Sequence, residues 1–269
     1  MRIAILGADG RMGRSLVRAV VQAGQGGLEA RLVAATERAG SPALGQDAGA
    51  VATGQALGVP ITAGVPAAGV ADVWIDFTVP AATAASCDAA VAAGAALVIG
   101  TTGLSAEQRA AIARAATKVP VVFAANYSIG VNVMLKLVAD AARALGPSYD
   151  LEIVETHHRG KRDAPSGTAL RLAESLAEAA GRDLATDARY ERHGEIGPRP
   201  STQIGVQTLR GGDVVGDHTV HFMGLGDRLE ITHRASSRDT FAVGAVRAAL
   251  WLAGKPVRLY DMRDVLGLP

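Results

Sequence analysis

The sequence predicts an α/β protein in which a doubly wound parallel sheet is joined to an α+β segment with a mainly antiparallel sheet. Three observations carry this expectation. A glycine-rich turn, Gly7 to Gly13, separates an opening strand from a helix; short β-branched runs then alternate with alanine-rich stretches; and later strand-like runs are divided by glycine and aspartate turns.

The elements follow in order. Arg2 to Leu6 reads as the first strand, and Ala30 to Ala35, Val73 to Phe77, Ala96 to Ile99 and Val121 to Ala124 repeat its character. Helices are expected between them, near Met12 to Ala23, Ala81 to Ala93 and Ala106 to Ala116. The last is introduced by Ser105-Ala106-Glu107-Gln108, the spacing of a capping box. Gly40 to Ala68, rich in Gly, Ala and Pro, reads as irregular. Val131, Leu135, Val138, Ala142 and Leu145 recur at helical spacing, and Leu151 to Thr156 reads as a strand. Ser166 then caps a helix reaching about Ala180, closed by Gly181. Ile204 to Leu209, His218 to Phe222 and Arg228 to His233 follow as strands. The turns Gly211-Gly212-Asp213 and Gly224-Leu225-Gly226-Asp227 suggest that they pair as antiparallel hairpins. Asp239 is read as the cap of a final helix, Phe241 to Ala253, and Val257 to Leu259 as a tail returning to the first sheet.

Composition narrows the function classes. With 27 Lys+Arg against 26 Asp+Glu, the 269-residue chain lacks the basic excess that a nucleic-acid backbone demands. The single cysteine, Cys87, excludes an internal disulfide and fits a reducing, cytoplasmic compartment. The opening apolar run is too short for a secretory leader, and no window reaches the uncharged length that spans a bilayer. The expectation is a soluble protein with no nucleic-acid and no membrane partner.

Gly7-Ala8-Asp9-Gly10-Arg11-Met12-Gly13 lies between a strand and a helix, the context in which glycines let a pyrophosphate approach the first helical amides. The spacing GxxGxxG also fits an ordinary strand-turn-helix junction. Glu37-Arg38 strengthens the nucleotide reading. Just after the second strand, an acid meets adenosine ribose hydroxyls and an arginine meets a 2′-phosphate, so the pair points to NADH or NADPH. A solvated charge pair is the alternative. Gly100-Thr101-Thr102-Gly103 and Ala124-Ala125-Asn126-Tyr127 each follow a strand, placing both at the carboxyl edge of the sheet.

The densest chemistry lies between Glu152 and Ala169. His157, His158, Arg159, Lys161 and Arg162 fall within six residues and would repel one another when protonated, which suits a multiply charged anion such as a dicarboxylate. Ser166-Gly167-Thr168 adds backbone amides at a helix start. A solvated basic loop is the plainer reading. A metal site is not expected, because adjacent His157 and His158 point to opposite faces of a strand and no third ligand is apparent. His193, His218, His221 and His233 read as surface or sheet-lining residues.

These eighteen residues resemble the EIxExHHxxKxDxPSGTA motif of bacterial dihydrodipicolinate reductases, and the likeness extends over Gly7 to Gly13, Glu37-Arg38, Gly100 to Gly103, Ala124 to Ser128, Arg228 to Ser237 and Phe241 to Trp251. The resemblance implies a Rossmann-like dinucleotide-binding domain, residues 1–127 with 239–269, and a substrate-binding and oligomerisation domain, residues 128–238, in a homotetramer. It implies an NADH- or NADPH-dependent reduction of a small cyclic dicarboxylate, 4-hydroxy-tetrahydrodipicolinate by way of its cyclic imine, on the path to diaminopimelate and lysine. His157 would be the general acid/base and Lys161 a proton donor, with His158, Gly167 and Thr168 on substrate. Gly7, Ala8, Asp9, Gly10, Arg11, Met12, Gly13, Glu37, Arg38, Gly100, Thr101, Thr102, Ala124, Ala125, Asn126 and Tyr127 would contact cofactor. Another two-domain nicotinamide dehydrogenase, or a regulator that binds nicotinamide without turnover, would share the glycine turn but has no reason to hold His157, Lys161 and Ser166 to Thr168 together.

Overall fold

A computed structural model describes residues 1–269, which form two compact units: residues 1–129 with 238–269, and residues 130–237. In the first unit, β1 (Arg2–Leu6), β2 (Arg31–Glu37), β3 (Ile61–Ala63), β4 (Val73–Asp76), β5 (Ala96–Ile99), β6 (Val121–Phe123) and β12 (Leu259–Tyr260) make a seven-stranded sheet ordered β12-β6-β5-β4-β1-β2-β3. Every pairing in it is parallel. The order reverses at β1, the kind of switch point at which open sheets of this type bind ligands outside the carboxyl ends of their strands.

Helices cover both faces because the strands are apolar on both. On one side, α1 (Arg11–Gln25) and α8 (Asp239–Trp251) bring Leu16, Val17, Val20, Ala245 and Ala249 onto Ile3, Ile5, Val73 and Ile75. On the other, α3 (Pro80–Ala93) and α4 (Ala106–Ala115) bring Cys87, Ala90 and Ile112 onto Ala4, Trp74 and Leu97. The capping box at Ser105 and Gln108 forms as its spacing predicts. The tail returns as β12 beside β6, followed by α9 (Met262–Leu266).

Two expectations about this unit are corrected. Residues 40–68 are not wholly irregular. They hold α2 (Ala48–Thr53) and the edge strand β3, elements too short to show a period, and Asp47 organises them by accepting hydrogen bonds from the amides of Ala50, Leu57 and Val59. Asp239 is not a cap either. The helix starts with it, Arg238 holds the cap position, and the Asp239 carboxylate meets Arg18 at 2.9 Å.

The second unit carries β7 (Asp150–His157), β8 (Ala188–Arg189), β9 (Ile204–Arg210), β10 (Gly216–Met223) and β11 (Arg228–Ala235) in the order β11-β10-β7-β9-β8. Beneath one face lie α5 (Ile129–Leu145) and α6 (Gly167–Ala180), whose Val138, Leu172 and Leu176 pack on Leu151, Ile153, Val206 and Val220. The short α7 (Leu184–Asp187) precedes β8. The β10–β11 hairpin forms as expected. The hairpin expected between β9 and β10 does not. β7 lies between them, parallel to β9 and antiparallel to β10. The turn at Gly211 to Asp213 instead bridges over the end of β7, where Gly211 donates to the His157 carbonyl and His158 to that of Val214. A short polar turn fits either connection, so its composition alone could not tell a bridge from a hairpin.

Candidate active site

In the first unit the candidate site is the glycine turn at the carboxyl edge of β1. Gly7 has φ +71°, and a Cβ on it would sit 2.9 Å from Thr78 Cγ2. A Cβ on Gly13 would sit 2.0 Å from the Gly7 carbonyl oxygen, so only glycine lets α1 start this close to the turn. Gly10 is the cap of α1 and offers no side-chain hydrogen bond, which leaves the first turn of the helix to an outside acceptor. These features fit a dinucleotide. Around the turn, Asp9 is tied to Arg14 at 2.6 Å, and its amide reaches Glu37 Oε2 at 3.3 Å. The acid at the end of β2 is thereby held beside the glycines while Arg38 and Arg11 stay exposed.

The loops after β4, β5 and β6 meet at the same edge. Gly100 abuts the Phe77 ring, where a Cβ would lie 2.2 Å away, and Phe77 packs on Tyr127 at 5.2 Å between ring centroids. Thr102 and Ala125 are exposed, Ala124 and Asn126 half-buried, and Thr101 buried. The Tyr127 side chain is 1% exposed, with its hydroxyl at 2.9 and 3.0 Å from the carbonyls of Ile99 and Val122. Its phenol therefore supports the loop from below. Asp76, overlooked in the sequence, accepts from Thr78 Oγ1 at 2.6 Å and Thr101 Oγ1 at 3.4 Å, joining two of these loops through a fully buried carboxylate.

The second unit carries a candidate site of its own, built at the end of β7. Leu151, Ile153, Glu155 and His157 share the face that α6 covers, so the apolar alternation of the core ends in an acid and an imidazole. Glu155 is completely buried and His157 is 8% exposed. His157 Nδ1 lies 2.5 Å from Glu155 Oε2, while Arg210 Nη1 and Nη2 each donate to the carboxylate at 2.8 Å. The Ser166 amide at 3.0 Å and Thr208 Oγ1 at 3.2 Å complete its partners. Burial opposes ionisation of Glu155, yet the donors from Arg210, His157 and Ser166 hold its carboxyl down to about 2. Burial lowers the His157 pKa, against the upward pull of Glu155.

Around this pair, Lys161 Nζ meets Asp163 at 2.9 Å, and Asp163 gives its carbonyl to Arg210 Nη2 at 2.7 Å. His158 is half-buried beside the loop, and Ser166 Oγ caps α6 by accepting from the Ala169 amide. Gly167 is exposed, and a Cβ on it would touch nothing within 4 Å, so a ligand has open access to that backbone. His218 belongs here rather than among the uninformative histidines. It is 3% exposed, its Nε2 lies 3.1 Å from Ser166 Oγ, and its ring stands edge-on to His157 at 5.2 Å. Burial first, then the neighbouring His157, pushes it down to about 4. A Cβ on Gly216 would sit 2.9 Å from His157 Nε2, so glycine there makes room for the ring.

The structure thus brings His157, Lys161, His158, Gly167 and Thr168 together in the second unit, and the glycine turn, Glu37, Arg38 and the edge loops together in the first. Sequence reading missed Glu155, Arg210, His218 and Asp76. The signal for Glu155 was present, since it occupies a core-facing position in the alternation of β7.

The family model for the C-terminus of dihydrodipicolinate reductase matches residues 130–266, and that for the N-terminus matches residues 1–127. A 4-hydroxy-tetrahydrodipicolinate reductase from Anaeromyxobacter dehalogenans is 56% identical over 268 residues, 99% of this chain and 98% of that protein. One of the same name from Acinetobacter baumannii is 53% identical over 270 residues, 99% and 96% of the two chains. Among solved structures, the dipicolinate-bound dihydrodipicolinate reductase from Paenisporosarcina sp. TG-14 superposes with a TM-score of 0.76 at 25% identity, over 98% of both chains. An amine dehydrogenase from Mycobacterium smegmatis, at 13% identity and a TM-score of 0.58 over 97% of this chain and 95% of that one, shares the fold alone. Matched along both parts and nearly end to end, this chain belongs to the dihydrodipicolinate reductase family.

Proposed function

We propose that the chain reduces 4-hydroxy-tetrahydrodipicolinate, through its dehydrated cyclic imine, to tetrahydrodipicolinate in diaminopimelate and lysine biosynthesis. The observation that carries this reading is full-length identity above half to reductases of that name. The residues agree with the chemistry. A reduced nicotinamide supplies hydride to a ring carbon conjugated with the imine. The electron pair displaced onto the carbon beside the hydride acceptor, and shared through conjugation with the ring nitrogen, must then be quenched by a proton. His157 holds one suitably, with Nδ1 engaged by Glu155 and Nε2 left to exchange a proton with substrate. Lys161 supplies a second ammonium donor on the same loop and a charge partner for a carboxylate. His158 and the backbone of Gly167 and Thr168 bind the dicarboxylate, with the positive end of α6 adding to the attraction.

Residues 1–129 with 238–269 would act as the dinucleotide domain, and residues 130–237 as the substrate and oligomerisation domain. Gly7 to Gly13 would hold the pyrophosphate and Glu37 the ribose hydroxyls. Arg38 would accept a 2′-phosphate, so that both NADH and NADPH serve. Tetramer assembly would use the uncovered face of the second sheet, which presents Val154, Gln207, Leu209 and Thr219. No helix is long and apolar enough to cross a membrane, and the enzyme would work in the cytoplasm.

The test is to follow nicotinamide absorbance while supplying the freshly made product of the condensing synthase. Oxidation of NADH and NADPH that depends on that product supports the reading. Oxidation with other amino or keto acids but not this one would replace it.

A further inference from the structure

Building on the reading of His157 as the proton-bearing residue, we infer that Glu155, clamped by Arg210, is a positioning residue that decides which nitrogen of His157 carries the resident proton. Two observations support it. Glu155 is entirely buried, yet five donors converge on its carboxylate: both Arg210 amino groups, the Ser166 amide, Thr208 Oγ1 and His157 Nδ1. The two Arg210 bonds are parallel and each 2.8 Å, a fork geometry that keeps the carboxylate ionised. An ionised carboxylate only accepts hydrogen bonds, so the proton between the two rests on His157 Nδ1. Nε2 is thereby left as the nitrogen that exchanges protons with a ligand.

The same arginine connects further. Arg210 Nη2 donates to the Asp163 carbonyl at 2.7 Å, and Asp163 pairs with Lys161 at 2.9 Å. Glu155 holds the cap of α6 through the Ser166 amide. One ion pair, buried on its carboxylate side, thus sets the imidazole, the lysine loop and the helix start relative to one another. A core position that an aliphatic side chain would fill more cheaply carries the Glu155 charge instead, with a half-buried Arg210 to match it, which a purely structural role leaves unexplained.

The charged and titratable groups facing His157 are Glu155 on its own strand, Arg210 on β9, Lys161 and Asp163 on the following loop, and His218 on β10. Glu155 is the one in contact that favours the imidazolium. Removing its charge should destabilise that form, so the protonated acid is lost at lower pH.

Two measurements test this. In the wild-type enzyme, ¹⁵N NMR of labelled histidines, with His157 assigned by its absence in His157→Gln, should show neutral His157 protonated on Nδ1. In Glu155→Gln, the high-pH limb of the kcat/KM profile should move down by about one pH unit. Turnover at pH 8 should fall at least about tenfold while KM for the reduced nicotinamide stays put. Paired Glu155→Gln with Arg210→Met removes both charges and should shift the limb in the same direction. An Nε2-protonated His157 in the wild type would overturn the inference, whether or not the variants fold. So would a folded Glu155→Gln with an unmoved profile. Undiminished turnover in His157→Gln would instead remove the acid itself, a failure of the functional reading that these outcomes keep separate.

Discussion

His157 Nε2 faces Gly216 at a point where any Cβ would come within 2.9 Å, and His218 lies edge-on to the same imidazole at 5.2 Å between ring centroids. His157 and His218 therefore share one buried wall of the site. Two cations cannot occupy it cheaply, and His218, the more deeply buried, stays neutral with its pKa pushed down to about 4.

This has a consequence for stability. A histidine whose folded pKa lies below its unfolded value of 6.5 is protonated more readily by the unfolded chain, so stability is lost as pH falls from about 6.5 towards 4. The loss attributable to His218 should be on the order of 2 to 3 kcal/mol across that window. Urea unfolding of the wild type and His218→Gln at pH 7 and pH 4.5 measures it. The variant should show a shallower decline; parallel declines would mean that His218 titrates as an exposed histidine does.

Gly13→Ala tests the fit of the helix start to its turn. The added Cβ would lie 2.0 Å from the Gly7 carbonyl oxygen, a clash with backbone that no rotamer relieves. Destabilisation of about 1 to 3 kcal/mol and a weakened affinity for reduced nicotinamide are expected. Denaturation and fluorescence titration read the two effects. Wild-type behaviour in both would show that the turn is looser than its geometry indicates.

Cofactor choice should respond to Arg38. It is exposed beside Glu37, whose carboxylate accepts from the amides of Asp9 and Arg38 itself. Arg38→Ala should weaken NADPH by about 1 to 3 kcal/mol and leave NADH nearly unchanged. Equal losses for the two nucleotides would exclude Arg38 as the reader of the 2′-phosphate.

For the dicarboxylate, pyridine-2,6-dicarboxylate is a flat dianion suited to calorimetry. Thr168→Val removes one hydroxyl but keeps the helix amides, so binding should weaken by about 0.5 to 1.5 kcal/mol. Lys161→Ala removes a charge and should cost more. Undiminished binding to Lys161→Ala would place the dicarboxylate away from this loop.

The sheets and most of their covering helices were legible because β1, β4, β5 and β6 are nearly continuous apolar runs and the caps at Ser105 and Ser166 have their usual spacing. The β9 pairing was not. A parallel neighbour reached by a turn over the end of β7 has the same local composition as a hairpin, and register is a property of the whole sheet. In the site, the glycines and the basic motif were visible because they are contiguous. Glu155, Arg210 and His218 meet from three strands, and Glu155 alone left a trace, as a charge where the alternation of β7 calls for an apolar residue. Tyr127 marks another limit: its place in an edge loop does not reveal that the phenol is buried and bonded to the sheet, which leaves its backbone as the part open to a ligand.

The most direct test of the whole account is steady-state turnover of His157→Gln with the imine precursor as substrate, alongside the affinity of the same variant for reduced nicotinamide. If His157 supplies the proton, kcat falls by on the order of a hundredfold or more while cofactor affinity stays within about twofold of wild type. Wild-type turnover by the folded variant would contradict the assignment and move the acid elsewhere, with Lys161 the residue to examine next.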